Sequence, residues 1–266
     1  MEEEQRQMSF LEHLEELRWR LVRSVVVILV FAIAIWWNMD WIMRHVFMSM
    51  LKADFITYDF FCKNFNMMCV EEIPATVQSR QVGGQFGYAL WMSFIGGVVL
   101  AFPFIFYQIW SFVKPGLKQN EKTVVKGIVF YVSMLFFAGI LFGYFVVAPM
   151  SVQFFGTFKI TKDIQNEFDL NSYMSTIIST VFYSGLFFLL PVVMYLFAKL
   201  GIITPQFLRK YRKHAIVGVL ILSAVITPPD MISQIIVSIP IVLLYELSIF
   251  VVVRVDKKRN KESLLS

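Results

Sequence analysis

Charge is what this 266-residue chain has least of: Asp, Glu, Lys and Arg make up 16% of it, against 58% hydrophobic residues. With a mean hydropathy of +0.66, it is too apolar to be buried inside a soluble domain. Histidine is scarce too, and His13, His45 and His214 stand too far apart to suggest a local metal site. No HExxH or CxxC occurs, and the glycine-rich run GGQFG at 83 to 87 lacks the lysine of a phosphate-binding loop. No nucleophile sits visibly beside a base. These absences point to a protein that is not an enzyme and that uses no metal or cofactor. The short alternating segments of a transmembrane barrel are missing as well, so helices are expected.

What is present is a set of apolar runs of about 17 to 25 residues, the length a helix needs to cross roughly 30 Å of hydrocarbon. They predict an all-α polytopic integral membrane protein with six transmembrane helices, at about 21–37, 86–110, 124–148, 173–198, 214–228 and 232–253. One transmembrane domain then occupies 1–254, followed by a basic tail at 255–266. Six crossings place both termini on one side. If that side is the cytosol, it collects Arg6, Arg18, Arg20 and Arg23, then Lys114, Lys118, Lys122 and Lys126. It also collects Lys199, Arg209, Lys210, Arg212 and Lys213, and last Arg254, Lys257, Lys258, Arg259 and Lys261. Together these are eighteen of the 24 basic residues, so the positive-inside rule puts both termini in the cytosol. The same rule accounts for the basic clusters without nucleic acid. Both cysteines, Cys62 and Cys69, fall in the first outer segment, where a disulfide and two separate thiols are both open.

Before the first span, Ser9 and Glu12 have the form of a capping box, and Phe10, Leu14, Leu17 and Leu21 recur at helical spacing. An interfacial helix running on into the membrane is expected. Gly96-Gly97 and Pro103 in the second span, and Pro191 in the fourth, predict kinks and a curved bundle, although Gly and Pro are also simply commoner in membrane helices. The fifth span holds about a dozen strongly apolar residues before Pro228-Pro229. It reaches roughly 20 Å, and with the sixth it predicts a short hairpin that thins the bilayer locally or is shielded by a partner. No internal repeat is visible.

Charges near the membrane are the informative residues, because burying one is costly. Glu16, Glu121, Asp230 and Glu246 stand out. Glu16 can pair with Arg20 at helical spacing, and Glu121 with Lys118. Glu246 has no charged partner nearby in sequence, which leaves it protonated, hydrogen-bonded across helices or facing water.

Four patches complete the reading: HLEELRWRL at 13–21, WSFVKPGLKQNE at 110–121, YFVVAPMSVQFF at 144–155, and ITPPDMISQ at 226–234 continued by IPIVLLYEL at 239–247. With the six-span layout they closely resemble the TatC family, the multispanning receptor subunit of the twin-arginine translocase. The resemblance implies a receptor of the bacterial inner membrane that binds twin-arginine signal peptides and assembles, in an oligomeric complex, with small single-span subunits of the TatA and TatB types. Folded precursors are moved across the bilayer, with the transmembrane proton gradient as the energy source. Glu16 and Glu121 correspond to the family's receptor carboxylates, with Arg18, Arg20, Phe112, Pro115 and Leu117 shaping the site. Thr227 and Gln234 correspond to a polar edge that contacts partner subunits, and Asp230 to the outer turn between the last two helices. One departure is Leu189, where many members carry Glu or Gln. The outer segment from Asn38 to Gln85 also looks divergent. The competing reading is a proton-coupled secondary transporter of small solutes with Glu246 as the proton carrier, but such a protein should show several ionisable residues at mid-membrane.

Overall fold

The computed structural model describes residues 10–65, 69, 73, 75–113, 125–161, 163, 166–226 and 231–263. The first helix, α1 (Phe10–Trp37), is continuous, so the amphipathic entry and the first span are one rod. Ser9 of the expected capping box lies outside the described residues. A short α2 (Met39–Ile42), a π-turn (Met43–Phe47), a 3-10 turn (Met48–Leu51) and α3 (Ile56–Phe65) follow. Next come β1 (Ala75–Gln78) and α4 (Gly84–Val113), which runs through Pro103 without a break. The third span consists of α5 (Val125–Phe142), a π-turn (Gly143–Val147) and α6 (Ala148–Thr157). After β2 (Asn166–Asp169), the fourth span is split at Leu189 into α7 (Leu170–Phe188) and α8 (Leu190–Lys199). Pro191 brings no N–H and restarts the helix there, so the expected kink is found. The chain ends in α9 (Pro205–Lys210), α10 (Arg212–Ile226) and α11 (Met231–Ser263).

Among the described residues, five stretches are long and apolar enough to cross a membrane: Leu14–Trp37, Gly84–Phe112, Gly127–Thr157, Leu170–Lys199 and Gln234–Lys257. The fifth helix of the expected set, α10, has 15 residues and reaches only about 22 Å. Its partner α11 is not short as a helix. It runs 33 residues, because the basic end of the chain, made largely of good helix formers, continues the rod past the apolar part. A two-stranded parallel sheet, registered from Ala75↔Asn166 to Gln78↔Asp169, is an addition to the expected all-helical architecture.

The chain forms two compact units. In the first, α1 and α4 meet along Ile28, Ala32 and Ile35. A Cβ on Gly97 would come 2.7 Å from the Ile28 carbonyl oxygen, and one on Gly96 would come 2.6 Å from Ile35 Cδ1. These glycines therefore bring two helices together. The opposite face of α1, with Val22, Val25, Val26, Leu29, Val30 and Ile33, is exposed on the protein and suited to lipid.

In the second unit, α5 approaches α7 through Gly139, where a Cβ would stand 2.7 Å from the Ser184 carbonyl oxygen and 2.8 Å from Gly185 Cα. The segment between the first two spans is tied down by hydroxyls donating to main-chain carbonyls. Tyr58 reaches Met50 and Pro149, Tyr144 reaches Val46, Tyr173 reaches Phe47, and Thr57 reaches Phe145. Burial raises the Tyr58 phenol above its ordinary pKa. At the other end, α8 and α9 pack on α11 through Ala198, Leu208, Tyr245, Ile249 and Val252. The π-turn of the third span packs on α10 and α11 through Val147, Val219, Val237 and Ile241.

Candidate functional site

Glu16 and Arg20 are one turn apart near the start of α1, where the polar entry sequence gives way to the apolar run. Arg20 donates from Nε (3.0 Å) and from Nη2 to Glu16 Oε1, while its Nη1 lies 3.3 Å from Gln108 Oε1 and 3.5 Å from the Gln108 carbonyl oxygen on α4. The pair is half-buried, with 18% of the arginine and 29% of the glutamate side chain exposed. The neighbouring Arg18–Glu15 pair is 66% and 53% exposed. A surface pair of that kind contributes about 0.3–0.5 kcal/mol, whereas a desolvated carboxylate that keeps its donors interacts far more strongly with a cation. Phe112 stands one helical turn beyond Gln108 on α4, so the two share a face of that helix. Pro115, Leu117 and Glu121 lie outside the described residues. Gln108 was passed over in the sequence as one polar letter in an apolar run; the signal was its amide inside a span, where an unpaired polar group is expensive.

The second group sits on the α10–α11 hairpin. Gln234 Nε2 donates to the Leu220 carbonyl oxygen at 3.0 Å, joining the two helices, and Thr227 and Asp230 lie outside the described residues. Glu246 does have a charged partner: Arg212 Nη2 is 2.6 Å from its Oε2. The contact is invisible in the sequence because 34 residues separate the pair. Fifteen residues after the start of α11, this carboxylate is paired with the first residue of α10. Leu189 ends α7 and precedes α8, and it supplies no polar group.

Cys62 and Cys69 form a disulfide. Closing an eight-residue loop stabilises by about 2.5 kcal/mol in the chain-entropy account. Peptide mass mapping without reductant should yield the joined pair, and Cys62→Ser should lower the unfolding midpoint by a few degrees. Free thiols at both positions would remove the bridge. Among the described residues, no three His, Cys, Asp or Glu side chains come together as a metal site.

Residues 12–240 match the family model described as Sec-independent protein translocase protein (TatC). The TatC of Blattabacterium sp. subsp. Periplaneta americana is 39% identical, over 97% of this chain and all of that one. TatCy of Bacillus subtilis is 31% identical, over 97% and 93%. A crystal structure of the twin-arginine translocase receptor TatC superposes with a TM-score of 0.67 at 28% identity, covering 92% of this chain and 99% of that one. The chain therefore belongs to the TatC family of Sec-independent protein translocase proteins, and it is a membrane component of a translocase with a transport role.

Proposed function

We propose that this chain is the signal-peptide receptor of a twin-arginine translocase, set in the bacterial cytoplasmic membrane with both termini in the cytosol. The observation that carries the reading is the half-buried Glu16 carboxylate, which already accepts an arginine fork from its own helix. Such a group suits a guanidinium, a planar array of directed donors, better than a compact ammonium. Glu121 supplies the second carboxylate that two consecutive arginines call for, and Arg18, Arg20, Phe112, Pro115 and Leu117 shape the surroundings.

The distribution of basic residues supports the orientation, and a Cys62–Cys69 bridge suits an oxidising outer face. Thr227 and Gln234, at the outer end of a helix too short to span by itself, would meet single-span subunits of the TatA and TatB types. The assembled complex moves folded precursors. It draws on the transmembrane proton gradient, since no nucleotide-binding motif is present in the sequence.

The test is photocrosslinking of a twin-arginine signal peptide to membranes carrying Glu16→Ala or Glu121→Ala. Losing one charge-assisted contact worth about 1.5–3 kcal/mol lowers the yield roughly 10- to 100-fold at subsaturating peptide. Undiminished crosslinking in both variants sinks the assignment.

A further inference from the structure

Gln108 is 6% exposed in a helix that is otherwise apolar around it, and a buried amide is costly unless its polar atoms are engaged. Its Oε1 and its main-chain oxygen both face Arg20 Nη1. The other two nitrogens of that guanidinium, Nε and Nη2, fall on a single oxygen of Glu16, Oε1. Arg20 is thus held at both ends, by α4 on one side and by Glu16 on the other. Ser24 Oγ donates to the Arg20 carbonyl oxygen one turn further on, at 3.0 Å. Glu16 Oε2 accepts no bond among the described residues. Arg18 and Glu15, the same residue types on the same helix, have no tie to α4 among the described residues and remain exposed.

We propose that Gln108 is a positioning residue of the recognition site, acting through Arg20 to hold Glu16 with Oε2 available to an incoming guanidinium. The inference rests on the receptor reading of Glu16. Without the Gln108 anchor, Arg20 is free to rotate onto Glu16 as a two-oxygen fork, the geometry that carboxylate and guanidinium prefer, and the carboxylate is closed to any ligand. With the anchor in place, the Arg20 charge stays beside the open oxygen and repels a second cation. Only a ligand bringing several directed hydrogen bonds offsets that repulsion. An arginine meets the requirement, and a lysine ammonium, a strongly hydrated point charge, does not. The anchored pair therefore contributes to discrimination between arginine and lysine, beyond supplying negative charge.

The experiment uses membranes holding the full chain and two photoreactive signal peptides, one with paired arginines and one with paired lysines. Gln108→Met keeps the volume and removes the acceptor. It should weaken arginine-peptide binding about tenfold, the equivalent of one charge-assisted hydrogen bond, and shrink the arginine-over-lysine ratio, with the unfolding midpoint unchanged. Gln108→Glu, which keeps an acceptor oxygen, should stay within threefold of the wild type. Should Gln108→Met fail to accumulate, Arg20→Lys serves instead, since one ammonium cannot hold Glu16 and Gln108 together, and the same loss of ratio is expected. Wild-type ratios in Gln108→Met or Arg20→Lys overturn the proposal, as does an equal drop for both peptides or a Gln108→Glu variant that fails like Gln108→Met. Glu16→Ala is the control. If it binds as the wild type does, the receptor reading itself fails and takes this inference with it; if it loses binding while Gln108→Met does not, only the role of Gln108 is lost.

Discussion

Leucine in place of Gly139 leaves little folded chain. The new Cβ alone would stand 2.7 Å from the Ser184 carbonyl oxygen, 2.8 Å from Gly185 Cα and 2.8 Å from Phe188 Cβ, and the first two are main-chain atoms that no rotamer change can move. Gly143, four residues on, is equally tight against Val181 Cα and Ser184 Cβ at 2.8 Å. The two glycines form a small-xxx-small face on which the third span, through α5 and the π-turn after it, touches α7 closely, the packing mode favoured where apolar burial gives no advantage over lipid. Seating a leucine there means parting the helices, which costs about 3 kcal/mol, the upper end of the usual range for overpacking. The control is Gly127→Leu on the same helix, where a Cβ meets nothing within 4 Å and helix propensity improves. Thermal unfolding in mild detergent should separate the two variants widely. Equal midpoints would mean that the close approach of α5 to α7 contributes nothing.

Arg212→Ala should be more damaging than removing both members of its pair. It leaves the Glu246 carboxylate among Leu243, Leu247 and Phe250, with no cation in reach along its own helix. The side chains are 49% and 42% exposed on the protein, so the full penalty of a buried broken pair does not apply, and roughly 2 kcal/mol is the expected loss. Arg212→Ala with Glu246→Ala removes the orphaned charge and should recover most of it, while Arg212→Glu with Glu246→Arg restores attraction with the signs exchanged. The coupling is read from a double-mutant cycle on the unfolding free energy. Strict additivity of the two single effects would show that the contact between α10 and α11 is incidental.

How far the sequence could be read followed the range of each interaction. Apolar run length and charge asymmetry are local quantities, and they located the helices and the shortness of α10. The break at Pro191 is local as well, since a missing N–H acts on its own turn. Glu16 with Arg20 is a contact at helical spacing and was legible. Its extension to Gln108 crosses 88 residues and was not. Arg212 and Glu246 stayed unpaired in the sequence for the same reason, and so did the partner of the Gly139 face. The strand Ala75–Gln78 is four residues long, too short for its alternation to stand out, and it exists only because Asn166–Asp169 lies beside it. The sixth helix was bounded where its apolar residues end, although helix formation does not require apolar residues and continues to Ser263. Family resemblance reached Glu121, Thr227 and Asp230.

The ties of the segment between the first two spans share one property that bears on how the protein is made. Thr57 waits for Phe145, Tyr58 for Pro149, Val46 for Tyr144, Phe47 for Tyr173, and β1 for a strand about ninety residues later. A ribosome adding roughly 5–20 residues per second delivers those partners many seconds after the segment itself has emerged. The segment must therefore stand unfinished until the later spans have been made. The disulfide between Cys62 and Cys69, closed within eight residues, is a covalent constraint that can form during that wait. It gives the newborn chain a first fixed point before any later helix arrives to hold it.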